Sequence, residues 1–158
     1  MEPIYFYSQL EKPYGLFSNF SPHGFMLKNQ YWQTSEHYFQ AQKFAGTEHE
    51  EAIRLAPRPK VAAEMGRDRS RPLRPDWNEV KEAVMAEALY AKFTRHPELA
   101  ILLLETGDAP LIENSPIDAY WGCGKDGTGK NRLGGLLMEL RERLRAEGYT
   151  PPQTTLDL

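Results

Sequence analysis

Apolar and polar positions alternate in a few short stretches near the N-terminus and then recur with helical spacing along most of the chain. Ile4 to Ser8, Gly24 to Leu27 and Tyr31-Trp32 read as short strands around a Gly-, Pro- and Asn-rich loop from Pro13 to Gly24. Thr34 or Ser35 is placed to cap a helix that carries Glu36 in its first turn and runs to Ala45, where Gly46 stops it. Thr47 and Glu50 have the spacing of a capping box opening a short helix to Leu55. Pro57 and Pro59 punctuate the chain before another short helix over Lys60 to Gly66. Asp76-Trp77-Asn78-Glu79 starts the longest middle helix, which reaches Thr94 and buries Val80, Val84, Met85, Ala88, Leu89 and Phe93.

Pro97 opens a helix over Leu99 to Glu105, and Gly107, Asp108, Pro110 and Pro116 bracket a strand at Leu111-Ile112-Glu113. A last helix near Lys130 to Glu147 lines up Leu133, Leu136, Leu137, Leu140 and Leu144 and stops at Gly148. Strands and helices do not alternate as βαβ units, so the pattern predicts an α+β fold: one helix-rich domain with small sheets over 1–150, then a tail over 151–158.

Composition narrows the classes. The 158 residues suffice for one core, and a net charge of -3 provides no global positive field for a nucleic-acid backbone. One cysteine, Cys123, excludes an intrachain disulfide framework and a multi-thiolate zinc site and suits a reducing compartment, so a cytoplasmic location is expected. The N-terminal stretch lacks the basic and apolar regions of a secretory signal, and no apolar run approaches a membrane span.

Three clusters can carry chemistry. On the first helix Glu36, Gln40 and Lys43 fall on one face, an acid, an amide and an amine in a row. Such a stripe is either a solvated face or a reaction centre. The surrounding Tyr31, Trp32, Tyr38, Phe39 and Phe44 favour a partly desolvated Lys43 amine with a lowered pKa. Between positions 54 and 74 lie six arginines and Lys60 against only Glu64 and Asp68. Arginine suits bidentate phosphate recognition, and Trp77 nearby offers a face for a heterocycle, which together suggest a phosphorylated, nucleotide-like ligand. The third cluster is the Gly-rich loop from Glu113 to Asn131, where backbone amides and Asp118 can meet a ligand although the glycines lack Walker order. Cys123 has no paired histidine motif and reads as a buried thiol, and His23, His37, His49 and His96 lack zinc-ligand spacing.

Read together, Gly15-Leu16-Phe17-Ser18-Asn19-Phe20, the block from Trp32 to Phe44, Gly66-Arg67, Asp76-Trp77 and Asp118-Ala119-Tyr120-Trp121-Gly122 resemble the YbiA-like or NADAR family, over about Tyr5 to Arg145. The resemblance implies an N-glycosidase working without metal or cofactor. One branch of that family cleaves the N-glycosidic bond of early riboflavin-pathway intermediates, releasing ribose 5-phosphate. Another removes ADP-ribose from guanine in nucleic acid or nucleotides. By the same resemblance Glu36, Lys43 and Asp118 are the catalytic positions, Lys43 matching a lysine that forms a Schiff base with the ribose C1 in the second branch. Asn19, Phe20, Tyr38 and Gln40 are expected to contact substrate, as are Trp121, Gly122 and Gly124. Trp77 would stack on the base, and Arg67, with Arg71 or Arg74, would hold the phosphate.

The leading expectation is therefore a small phosphorylated nucleotide-like substrate, with ADP-ribosylated nucleic acid as the rival and no membrane partner. A non-catalytic sensor of ADP-ribose or NAD would keep the pocket without needing an acid and an amine side by side.

Overall fold

The computed structural model describes residues 1–151. The tail expected over 151–158 lies, apart from Pro151, outside the described residues. Strands β1 (Ile4–Phe6), β2 (Phe25–Leu27), β3 (Gln30–Trp32) and β4 (Leu111–Glu113) form two two-stranded sheets, β1 with β4 and β2 with β3. Six helices complete the α+β architecture: α1 (Ser35–Gln42), α2 (Glu48–Arg54), α3 (Pro59–Arg67), α4 (Trp77–Arg95), α5 (Pro97–Glu105) and α6 (Arg132–Ala146). The chain falls into two compact units, one from Phe6 to Lys92 and one comprising residues 1–5 and 93 onward. Among the described residues no helix is long and apolar enough to cross a membrane.

In the Phe6–Lys92 unit, β2 and β3 pair antiparallel with Phe25 opposite Trp32, and Lys28 and Asn29 turn between them at φ of 55° and 62°. Thr34 accepts the His37 amide at 3.1 Å and caps α1, as its position in the sequence predicts. All eight residues of α1 are buried, which explains why an apolar stripe is hard to see in it. Tyr38 points into the aromatic core, edge-on to Trp32 at 5.0 Å, whereas α2 and α3 pack against other parts of α1. Gly66 makes the α1–α3 approach possible, because a Cβ there would stand 2.7 Å from Cδ of Gln40 and closer still to its Oε1.

In the other unit, α6 packs on α5 and β4. Gly134 lets α6 approach the Leu111 carbonyl, into which a Cβ would collide. Asn131 precedes α6 in the left-handed region at φ 51°, and its side chain accepts from the Glu113 amide at 2.9 Å and donates to the Leu111 carbonyl at 2.8 Å. The buried Arg141 satisfies its guanidinium on Thr106 Oγ1 and the Ala109 carbonyl.

Candidate active site

The polar stripe of α1 is not a solvated face. Glu36, Gln40 and Lys43 retain only 9%, 5% and 8% of their exposure, so an acid, an amide and an amine are held together out of water. Gln40 Nε2 donates to Glu36 Oε2 at 2.7 Å, fixing the carboxylate along the helix, while Gln40 packs against Gly66. Lys43 ends α1, and its Nζ donates to the Gly66 carbonyl at 3.3 Å and lies 5.8 Å from the centre of the Phe39 ring. Burial pulls the Lys43 amine down to about 8; the Arg69 and Arg67 guanidiniums act in the same direction, and Glu36 opposes them. Below that value the ammonium form still predominates, but the neutral, nucleophilic fraction near neutral pH is far larger than for an ordinary lysine.

Phe39 continues the wall. Its ring centre lies 5.1 Å from that of Trp77, the first residue of α4, which is 7% exposed. The turn before α4 is held by Arg74, which forms a two-point ion pair with Asp76 (2.6 and 3.0 Å), donates its own amide to the Lys43 carbonyl at 3.0 Å and reaches the Gln42 carbonyl. Arg74 thus joins the end of α1 to the start of α4. Arg71 is likewise engaged, by Asp68 at 3.0 Å. Of the arginines that the sequence offers for phosphate, these two have carboxylate partners, whereas Arg67 and Arg69 are exposed and act electrostatically on Lys43.

The loop ahead of α1 supplies Asn19 and Phe20. The Asn19 carbonyl accepts the Glu36 amide at 3.1 Å, its Oδ1 accepts from Ser35 Oγ at 2.8 Å, and its Nδ2 lies 3.5 Å from Met85 Sδ. Asn19 is therefore tied to the first turn of α1, and Phe20, half-buried, follows it. Tyr38, also expected to contact substrate, is 0% exposed and points away from Glu36, two residues further round the helix.

Asp118, Trp121, Gly122 and Gly124 lie in the other unit. Asp118 Oδ1 accepts the amides of Tyr120 at 2.9 Å and Trp121 at 2.8 Å, and the Asp118 amide donates to Ser115 Oγ, so the carboxylate is held by a tight turn that leaves Oδ2 outside these bonds. Gly122 lets the Glu113 carbonyl and the Ser115 side chain approach, and Gly124 adopts φ of 73°. Cys123 is buried, its thiol 3.4 Å from Asn114 Oδ1.

With this arrangement in view, the chain matches the NADAR domain over residues 5–145. It belongs to the NADAR domain family. Among NADAR proteins it is 56% identical over 144 residues to N-glycosidase YbiA of Escherichia coli strain K12, an alignment covering 91% of this chain and 89% of that protein. It is 50% identical to N-glycosidase Npun_R5314 of Nostoc punctiforme, over 90% of this chain and 92% of the relative. The solution NMR structure of E. coli YbiA superposes with a TM-score of 0.87 at 52% identity, covering 98% of this chain and 91% of that one. A longer NADAR relative, the chloroplastic riboflavin biosynthesis protein PYRR of Zea mays, is 41% identical over 83% of this chain, which spans 23% of PYRR.

Three roles at the site were not read from the sequence: Arg69, one of the basic arm, acting on Lys43; Arg74, expected at the phosphate, clamping the end of α1; and Ser35, a possible helix cap, donating to Asn19. The signal for Arg74 was available, because an Arg-Pro-Asp run ahead of a helix start invites a local ion pair.

Proposed function

We propose that this NADAR protein is a cytoplasmic N-glycosidase that hydrolyses the C1–N bond of a small phosphoribosylated heterocycle, such as an early riboflavin-pathway intermediate, and releases ribose 5-phosphate. The observation that carries this reading is the buried Lys43 amine on the same helix face as the Gln40-braced carboxylate of Glu36. The names of the N-glycosidase relatives support the reaction class.

Cleavage of C1–N builds positive charge on the ribose, which a carboxylate beside C1 stabilises. In the covalent route neutral Lys43 attacks C1, the C1–N electron pair leaves with the base, and a proton delivered by Glu36 completes the free base. Ring opening then gives an imine between Nζ and C1, and water adds to C1 to release the sugar and restore the amine. In the direct route water takes the place of Lys43 and loses its proton to a carboxylate. Trp77 stacks on the departing base, and Arg67 binds the phosphate. Asn19, Phe20 and Gln40 shape the pocket around Lys43.

A second reading, removal of ADP-ribose from guanine, is favoured by one observation: Arg67 and Arg69 carry two exposed guanidiniums near Lys43, as a diphosphate would require. The deciding experiment incubates the purified enzyme in parallel with the phosphoribosyl aminopyrimidine of the riboflavin pathway and with DNA bearing ADP-ribosylated guanine, reading products by mass spectrometry. Ribose 5-phosphate from the first substrate is the expected result. ADP-ribose from the second alone would establish the second reading, and no release from either would leave a binding protein.

A further inference from the structure

α4 contains a lysine with no part in the chemistry above. Lys92 is 0% exposed, one of the largest wholly buried side chains in the protein, and its Nζ donates to the Ser18 carbonyl at 2.9 Å. Seven residues earlier on the same face of α4, Met85 Sδ receives Asn19 Nδ2 at 3.5 Å. Two turns of one helix thus hold two consecutive residues of the loop ahead of α1. Ser18 Oγ accepts the Phe20 amide at 3.1 Å, and the Asn19 carbonyl accepts the Glu36 amide, one of the N–H groups that the first turn of α1 cannot satisfy within itself.

A chain of direct contacts therefore runs from Lys92 through Ser18 and Asn19 to Glu36. A methionine or leucine at position 92 would fill the space without desolvating an amine, so packing alone does not account for a lysine there. Its distinguishing feature is the donor at the end of a long stem, reaching the Ser18 carbonyl, which also accepts the Ser21 amide at 3.1 Å.

We propose that Lys92 is a positioning residue for the glycosidase reaction, anchoring the Ser18–Asn19 segment so that Asn19 sets the first turn of α1 and the carboxylate of Glu36. The inference rests on the proposed N-glycosidase reading and adds to it a residue that touches neither substrate nor reacting atoms. Displacement of a reacting group by a fraction of an ångström is enough to slow chemistry without altering what binds.

The test compares wild type, Lys92→Met, Asn19→Ala and the double variant for kcat, KM and thermal midpoint, with ribose 5-phosphate release as the readout. Lys92→Met is expected to lower kcat by about tenfold with KM within about twofold of wild type and a thermal midpoint equal or higher. Because Lys92 acts through Asn19, the double variant is expected to be no slower than Asn19→Ala alone. Unchanged kcat in Lys92→Met, or additive losses in the double variant, would overturn the proposal. A fall in kcat accompanied by a lower midpoint would also overturn it, as the mark of a purely structural lysine. If Lys92→Met does not fold, Lys92→Gln is measured in the same way, and failure of both to fold counts against positioning. Wild-type enzyme releasing no ribose 5-phosphate would instead be the failure of the N-glycosidase reading.

Discussion

The amine of Lys43 and the backbone carbonyl of Gly66 stand 3.3 Å apart, joined by a hydrogen bond that ties the end of α1 to the end of α3. That bond depends on how closely the two helices approach, and the approach depends on position 66 having no side chain. Gly66→Ala would push Gln40 out of its place, and with it the amide that braces Glu36. Activity should fall by about tenfold or more, whereas stability should fall by only about 1–3 kcal/mol, since the colliding atoms belong to a side chain that can move. Urea unfolding together with kcat checks both.

For Lys43 the pH profile is the sharpest measure. Burial and the neighbouring guanidiniums bring the amine to about 8, so its neutral, nucleophilic fraction grows as pH rises and levels off above that value. The covalent route predicts kcat/KM rising through half its maximum near pH 8 to a plateau at higher pH, loss of turnover by about 10³-fold in Lys43→Ala, and a sugar adduct on Lys43 trapped by borohydride. A Lys43→Ala enzyme that remains active selects the direct route.

Arg69 lowers the Lys43 amine from a distance. Removing that positive charge lets the amine hold its proton more tightly, so Arg69→Ala should move the rising limb of the profile to higher pH. An unmoved limb in Arg69→Ala would show that the titrating group in the profile is not Lys43.

Glu36→Gln removes charge while keeping size, and it should reduce kcat by about 10²–10⁴-fold if Glu36 stabilises the sugar cation or moves a proton. Asp118→Asn is expected to act similarly, with the Tyr120 and Trp121 amides still able to reach the remaining side-chain oxygen. Full activity in either variant would remove that carboxylate from the mechanism.

Trp77 packs against Phe39 as well as facing the proposed base, so truncation to alanine would mix binding with the cost of a cavity, about 3–5 kcal/mol. Trp77→Phe separates them. KM should rise several-fold with little change in thermal midpoint, and an unchanged KM would reject stacking.

Much of this was legible in the residues. Among the described residues, periodicity and punctuation placed the four strands and six α-helices to within a few positions, because Thr34, Pro59, Pro97 and Gly148 mark real ends, while the 3-10 turn at Tyr14–Phe17 read as loop. What patterning obscured was burial of polar groups. The Glu36, Gln40 and Lys43 stripe has the sequence of a solvated face and yet lies inside, where Gln40 Nε2 donates to Glu36 and Lys43 Nζ to the Gly66 carbonyl. Lys92 is hidden for the same reason, a charge-bearing residue on the buried face of α4. Thr47 and Glu50 have capping-box spacing, but Glu50 accepts from the Gly46 amide and Gln42 Nε2, so it fastens the end of α1 instead of closing the box. The Arg71 partner was equally invisible, because pairing with Asp68 depends on how the chain turns after α3.

Asn131 has a consequence beyond its helix start. β4 turns the Pro110 carbonyl toward Ile4, and on its opposite edge the Leu111 carbonyl and the Glu113 amide are both occupied by the Asn131 side chain, while the Glu113 carbonyl takes the Cys123 amide. A single carboxamide thus stands where a third strand would hydrogen-bond, and the β4 edge of this two-stranded sheet presents no open template for another polypeptide. Self-association through strand addition is thereby closed off at this edge by one asparagine held in a left-handed turn.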